Sequence, residues 1–252
     1  MQAIEFATDT NGVGTLTVNR PEVRNALDWD AMRDFAEAIA RAIKLPELRA
    51  LIITGAGPTF VSGGDLRALE PYSKRRDGMR LAVIMGKALQ HLRALPCPTI
   101  AAINGPAIGG GAEIASACDQ RVIDEAASIG FVHARLGITT AWGGARYLLQ
   151  LVGYPMALEL LATGRVLGAQ EAKDIGLVDH VTVPGGALQA ARDLAQQMAQ
   201  HPIDAVRAAK RLLRFGLANP LVAKHAERRL FAALWDTEYR RQAVARFLNR
   251  SK

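Results

Sequence analysis

Between Pro98 and Glu113 an apolar, β-branched run ends in Asn104-Gly105, and Gly109-Gly110-Gly111 then opens a short helical segment, Ala112 to Cys118. Glycine lets backbone approach a ligand that a Cβ would hold off. The start of a helix offers unpaired N–H groups and a partial positive charge. Together these make a place for an anion, including one that exists only during a reaction. Glu113 lies one turn inside the segment, where a carboxylate could work as an acid or base. A second glycine turn, Ser62-Gly63-Gly64-Asp65, follows another strand-like run, Ala50 to Thr54. Two such strand–turn–helix units could each aim one N–H at the same oxygen.

The elements that must position these groups alternate. Strands are expected over 3–6, 13–18, 50–54, 99–103, 121–123 and 178–183. Helices are expected over 28–43, 79–94, 111–118, 146–151 and 155–162, with Asp28 capping the first. This β/α alternation predicts an α/β fold with largely parallel pairing. Beyond about Pro184 the pattern turns helical, with amphipathic stretches over 187–200, 203–215, 221–235 and 238–248. An α/β core over 1–190 followed by a helical region over 191–252 is the expected organisation.

The bulk numbers narrow the class. A chain of 252 residues, half hydrophobic and 22% charged, is ordinary for a globular protein. No apolar run reaches the ~20 residues that span a bilayer, and the N-terminus lacks the pattern of a signal peptide. No membrane association and a cytoplasmic location are expected. Cys97 and Cys118 have no metal-ligand spacing and read as packing residues. No metal, redox cofactor or dinucleotide site is expected. The net charge of +7 suits an anionic partner. Its basic residues are scattered, and no aromatic-basic platform for nucleic acid is present.

The ordered set of motifs resembles the enoyl-CoA hydratase/isomerase superfamily, the crotonase family. It comprises Asn19-Arg20-Pro21 with Asn25-Ala26-Leu27, Ser62-Gly63-Gly64-Asp65-Leu66, and Asn104-Gly105 with Gly109-Gly110-Gly111-Ala112-Glu113. Ala117-Cys118-Asp119, Leu136-Gly137, Gly143-Gly144 and Ala169-Gln170-Glu171-Ala172 with Gly176-Leu177-Val178 continue it, so nearly the whole chain is covered. The resemblance implies a ββα superhelix, two near-perpendicular sheets wrapped by helices. It also implies a C-terminal helical region that supports a trimer or a hexamer. The implied substrate is an acyl-CoA thioester, with coenzyme A as part of the substrate.

Matched position by position, the resemblance puts the oxyanion donors at Ser62 and Gly110 and a catalytic glutamate at Glu113. It places Val23, Arg24, Gly64 and Leu66 along the thioester arm, and Phe247 and Arg250 against coenzyme A. The hydratases carry a second glutamate twenty positions after the first, and this chain has His133 there. His133 could act as acid or base, attract an anionic acyl group, or simply pack beside the pocket. The segment Phe131-Val132-His133, with Trp142-Gly143-Gly144, is similar to the ethylmalonyl-CoA decarboxylase branch, where Trp142 would shape the acyl pocket. Hydration of a 2-enoyl-CoA is the default expectation. Decarboxylation of a malonyl-type CoA and double-bond isomerisation are the alternatives, and RNA binding or non-catalytic acyl-CoA binding is the non-enzymatic one.

Overall fold

The computed structural model describes residues 2–72, 74–218, 238 and 242. Strands β1 (Ile4–Thr8) and β2 (Val13–Val18) form an antiparallel hairpin in the register Ile4↔Val18. Helix α1 (Trp29–Ile43) follows, capped by Asp28, whose side chain accepts from Ala31 N at 2.8 Å. That cap contributes about 1 kcal/mol. The buried positions of α1, namely Ala31, Met32, Phe35, Ala38, Ile39 and Ala42, recur at the spacing of one helix face.

Strand β3 (Ala50–Gly55) is buried along its whole length. After it come the short helix α2 (Leu66–Leu69), the long helix α3 (Arg75–Ala94) and the fully buried strand β4 (Thr99–Ile103). Strand β5 (Ala107–Ile108) leads into α4 (Gly110–Ala117), every residue of which is buried. Next are β6 (Gln120–Asp124), β7 (Ser128–Gly130), a 3-10 turn over Val132–Leu136 and α5 (Gly144–Thr163). Then follow β8 (Val166–Gly168), α6 (Ala169–Asp174), β9 (His180–Thr182), α7 (Ala187–Ala199) and α8 (Ile203–Ala218). Helix α5 consists of two pieces joined at Gly153 (φ 74°, ψ 170°), with Pro155 just beyond. The separate helices expected over 146–151 and 155–162 are these two pieces.

The main sheet runs β1-β2-β3-β4-β6-β9 and is parallel from β2 onward. Its residues split by parity, as a pleated strand requires. Leu51, Ile53, Ala101 and Ile103 enter the large core beneath α1, α3 and α4. Ala50, Ile52, Ile100 and Ala102 face Ala191 and Ala195 of α7 on the other side. The boundary expected between residues 190 and 191 therefore falls inside a helix that covers this sheet. A second sheet, β5-β7-β8, was expected only through the family resemblance; its strands have two or three residues each. The stretches expected over 221–235 and 238–248 lie outside the described residues, apart from 238 and 242. No helix among the described residues is long and apolar enough to cross a membrane.

Burial pushes the Cys97 thiol up to about 11 and the Cys118 thiol up to about 12. Both cysteines are free and buried, as expected of packing residues. A native thiol that holds its proton more tightly than the unfolded one stabilises the fold only while both stay protonated. Folding stability is therefore expected to fall from about pH 9, the ordinary thiol value, toward pH 11. The slope is about 1.4 kcal/mol per pH unit for each thiol. Urea midpoints measured across that range check this, and Cys118→Ala should flatten the curve by one thiol's share.

Candidate active site

Two loops meet to make the site, and two asparagines pin the segment that carries one of them. Asn25, fully buried at a left-handed backbone position (φ 56°), accepts from Arg20 N and donates to the carbonyls of Ala56 and Thr59. Asn104 accepts from Thr54 Oγ1 and Gly55 N, and donates to the carbonyls of Gly55 and Gly57. Buried amides with their donors and acceptors filled hold geometry well. Between them they fix the segment after β3 that delivers the Ser62–Asp65 turn.

The turn is stitched to residues 24–27. Ser62 N donates to Arg24 O at 3.2 Å, Leu27 N to Gly63 O at 2.8 Å, and Asp65 N to Leu27 O at 2.9 Å. Ser62 N–H, the expected donor, makes its bond in this structure to Arg24 O. Gly64 N has no partner among the described residues and lines the same cavity. The second open N–H belongs to Gly110, which starts α4 and so has no acceptor within the helix. The two turns touch: a Cβ placed on Gly63 would come 3.1 Å from Gly110 N. At Gly110 a Cβ would lie 2.2 Å from the Trp142 ring, so only glycine fits there.

Glu113 is 1% exposed. Its Oε2 accepts from Trp142 N at 2.8 Å and Gly144 N at 2.7 Å. Its Oε1 lies 3.1 Å from His133 Nε2 and 3.4 Å from Ala141 N. Donors on several sides suit a carboxylate that only accepts, seated at the start of α5 where the helix dipole favours it. A Cβ on Gly144 would fall 2.5 Å from Glu113 Cγ, so the cradle needs glycine there. His133 is 8% exposed, and its Nδ1 is buried without a partner.

These groups line one cavity of about 480 Å3 with Ser62, Gly64, Leu66, Gly110, Glu113, His133 and Trp142 among its walls. Leu69, Leu81, Ile108, Leu136 and Ile138 make much of the rest apolar. Glu113 is the one carboxylate among the described lining residues. Trp142 both packs and lines: it is 3% exposed, its ring rests on Gly110 and its N–H holds Glu113. Val23 and Arg24 stand outside this wall, on the segment that carries the turn. Phe247 and Arg250 lie outside the described residues. The N–H cradle for Glu113 was not anticipated; the Gly143-Gly144 pair was its only trace in the sequence.

A family model for enoyl-CoA hydratase/isomerase matches residues 8–252. An ethylmalonyl-CoA decarboxylase of Gallus gallus is 33% identical over 248 residues, covering 97% of this chain and 83% of the relative. The enoyl-CoA isomerase/hydratase fer4 of Mycosarcoma maydis is 36% identical over 264 residues, covering 98% and 94%. The crystal structure of an enoyl-CoA hydratase from Bacillus anthracis matches with a TM-score of 0.93 at 30% identity, covering 99% of this chain and 97% of that one. The chain belongs to the enoyl-CoA hydratase/isomerase family, and its fold is the crotonase fold.

The Glu113–His133 pairing predicts a change of tautomer. In Glu113→Gln the amide oxygen is expected to keep the bonds from Trp142 and Gly144, turning its NH2 toward His133. The ring must then accept at Nε2. Imidazole 15N shifts check this: Nε2 carries a proton in the native protein and none in the variant.

Proposed function

We propose that this enzyme decarboxylates a malonyl-type acyl-CoA, such as ethylmalonyl- or methylmalonyl-CoA. Family membership makes the substrate an acyl-CoA thioester. The observation that carries the finer reading is the Glu113–His133 contact at 3.1 Å. Where a hydratase uses two carboxylates to hold one water, this cavity pairs its single carboxylate with an imidazole. The ethylmalonyl-CoA decarboxylases among the relatives agree with it.

The thioester oxygen is held by Gly64 N–H and Gly110 N–H. The bond from Cα to the carboxylate breaks, CO2 leaves, and its electron pair becomes the enolate on that oxygen. Two preorganised donors lower this barrier, each by about 3 kcal/mol. The apolar wall favours the step, because a carboxylate is costly there and neutral CO2 is not. The Glu113–His133 pair then gives one proton to Cα and recovers it from water.

Hydration remains a second reading, supported by the 36% identity to an isomerase/hydratase. Incubation with ethylmalonyl-CoA and with crotonyl-CoA, read by mass spectrometry, separates the two. Loss of CO2 from the first with the second untouched is the expected result. Water added to crotonyl-CoA, with no CO2 lost, would overturn the proposal.

Gly64→Pro tests the Gly64 donor. It removes that N–H, while a Cβ there meets nothing nearer than Leu69 Cδ1 at 3.0 Å. Turnover is expected to fall about 10²- to 10³-fold, with the circular dichroism spectrum unchanged.

A further inference from the structure

Away from the acyl cavity, three arginines from three helices converge on one hollow. Arg93 comes from the last turn of α3, Arg146 from the first turn of α5 and Arg214 from α8. The hollow has a volume of about 280 Å3 and is completed by Gln90, Tyr147, Gln150 and Leu217. It shares no lining residue with the acyl cavity. No Asp or Glu lines it, and none of the three arginines forms an ion pair among the described residues.

The guanidinium groups are held in place. Arg93 lies 4.6 Å and Arg146 5.2 Å from the centre of the buried Tyr147 ring. Arg93 donates to Gln150 Oε1 at 2.9 Å, Arg146 donates to Tyr147 OH at 3.3 Å, and Arg214 donates to the carbonyl of Arg93. Each guanidinium thus spends one of its five N–H donors inside the chain and keeps the others. Arg93 and Arg146 share one ring, which restricts both guanidinium groups. Burial lowers the Arg93 pKa, Tyr147 and Asp119 act to raise it, and the charges of Arg214 and Arg146 act to lower it. Asp119, a nearby counter-charge, is taken by Lys210 at 2.6 Å and by Thr99. Among the described residues no carboxylate lines this hollow, and the three guanidinium groups border a space far larger than one water's ~30 Å3.

We propose that this hollow is a binding site for a phosphate-class dianion, either inorganic phosphate or the phosphoryl end of a small ester. The guanidinium fork matches phosphate oxygens two at a time. The ring of Tyr147 sets two of the forks before the ligand arrives, so little ordering is left to binding.

Isothermal titration with sodium phosphate tests the site, at constant ionic strength and with butyryl-CoA saturating the acyl cavity. One phosphate per chain is expected in the native protein. Arg146→Gln and Arg214→Met should each weaken binding at least tenfold. Arg146 is exposed, so its replacement leaves the core untouched, and an unchanged melting temperature without phosphate confirms the fold. A second titration with glycerol 3-phosphate separates the sources. Binding of both ligands points to an ester, and binding of inorganic phosphate alone points to the free ion. No binding to the native protein, or equal binding to the Arg146→Gln/Arg214→Met double variant, would overturn the proposal.

Discussion

The Glu113 carboxylate, sunk 1% exposed into the molecule, organises much of what surrounds it. An unpaired charge there would cost several kcal/mol. Trp142 N–H, Gly144 N–H and His133 offset that cost, with Ala141 N–H at longer range. They belong to the segment opening α5 and to the 3-10 turn after β7. One side chain from α4 therefore ties three separate stretches of chain together. The same contacts shape the cavity, because the Trp142 N–H that holds Glu113 also fixes a ring against Gly110. Stability and chemistry share these bonds, so the site cannot loosen without exposing a buried charge.

The opposite wall rests on amides. Asn25 and Asn104 reach across from different loops to the chain after β3 and satisfy its carbonyls. That segment has no regular structure to pair its own backbone, and a buried unpaired group costs about 1–3 kcal/mol. The side chains supply what a strand would have supplied. The Ser62–Asp65 turn then sits on a fixed base, and its pairing with residues 24–27 decides which N–H stays open.

The sequence was most legible where burial is long and uniform. Strands β2 and β4 fall where the apolar runs lie, and Asp28 caps the helix that its position predicts. The second sheet left no such trace, since strands of two or three residues are too short to display a period. Glu113 and His133 could be found by spacing, yet their contact could not. It depends on how the 3-10 turn rolls the imidazole toward α4. Which N–H of the Ser62–Asp65 turn stays open is a matter of backbone pairing to a distant segment. Side-chain type carries no record of that pairing. The arginine hollow was invisible for the same reason: Arg93, Arg146 and Arg214 are scattered in sequence and meet only through helix packing.

On the proposed reading the character of this site follows from the histidine at position 133. Two carboxylates facing each other across a small cavity repel, and a water or a shared proton must separate them. A carboxylate and an imidazole attract, and at 3.1 Å they need nothing between them. The pair then holds one mobile proton in direct contact, where a water-adding site holds a water. Cavity space is left to the acyl group, with Leu66, Leu69, Leu81, Ile108, Leu136 and Ile138 among its walls and Arg135 beside them. On the proposed reading such a site returns a proton to an enolate and does not deliver hydroxide. On the proposed reading the acyl group itself decides which bond breaks to form that enolate, and a β-carboxylate can leave as neutral CO2 into the apolar part of the wall.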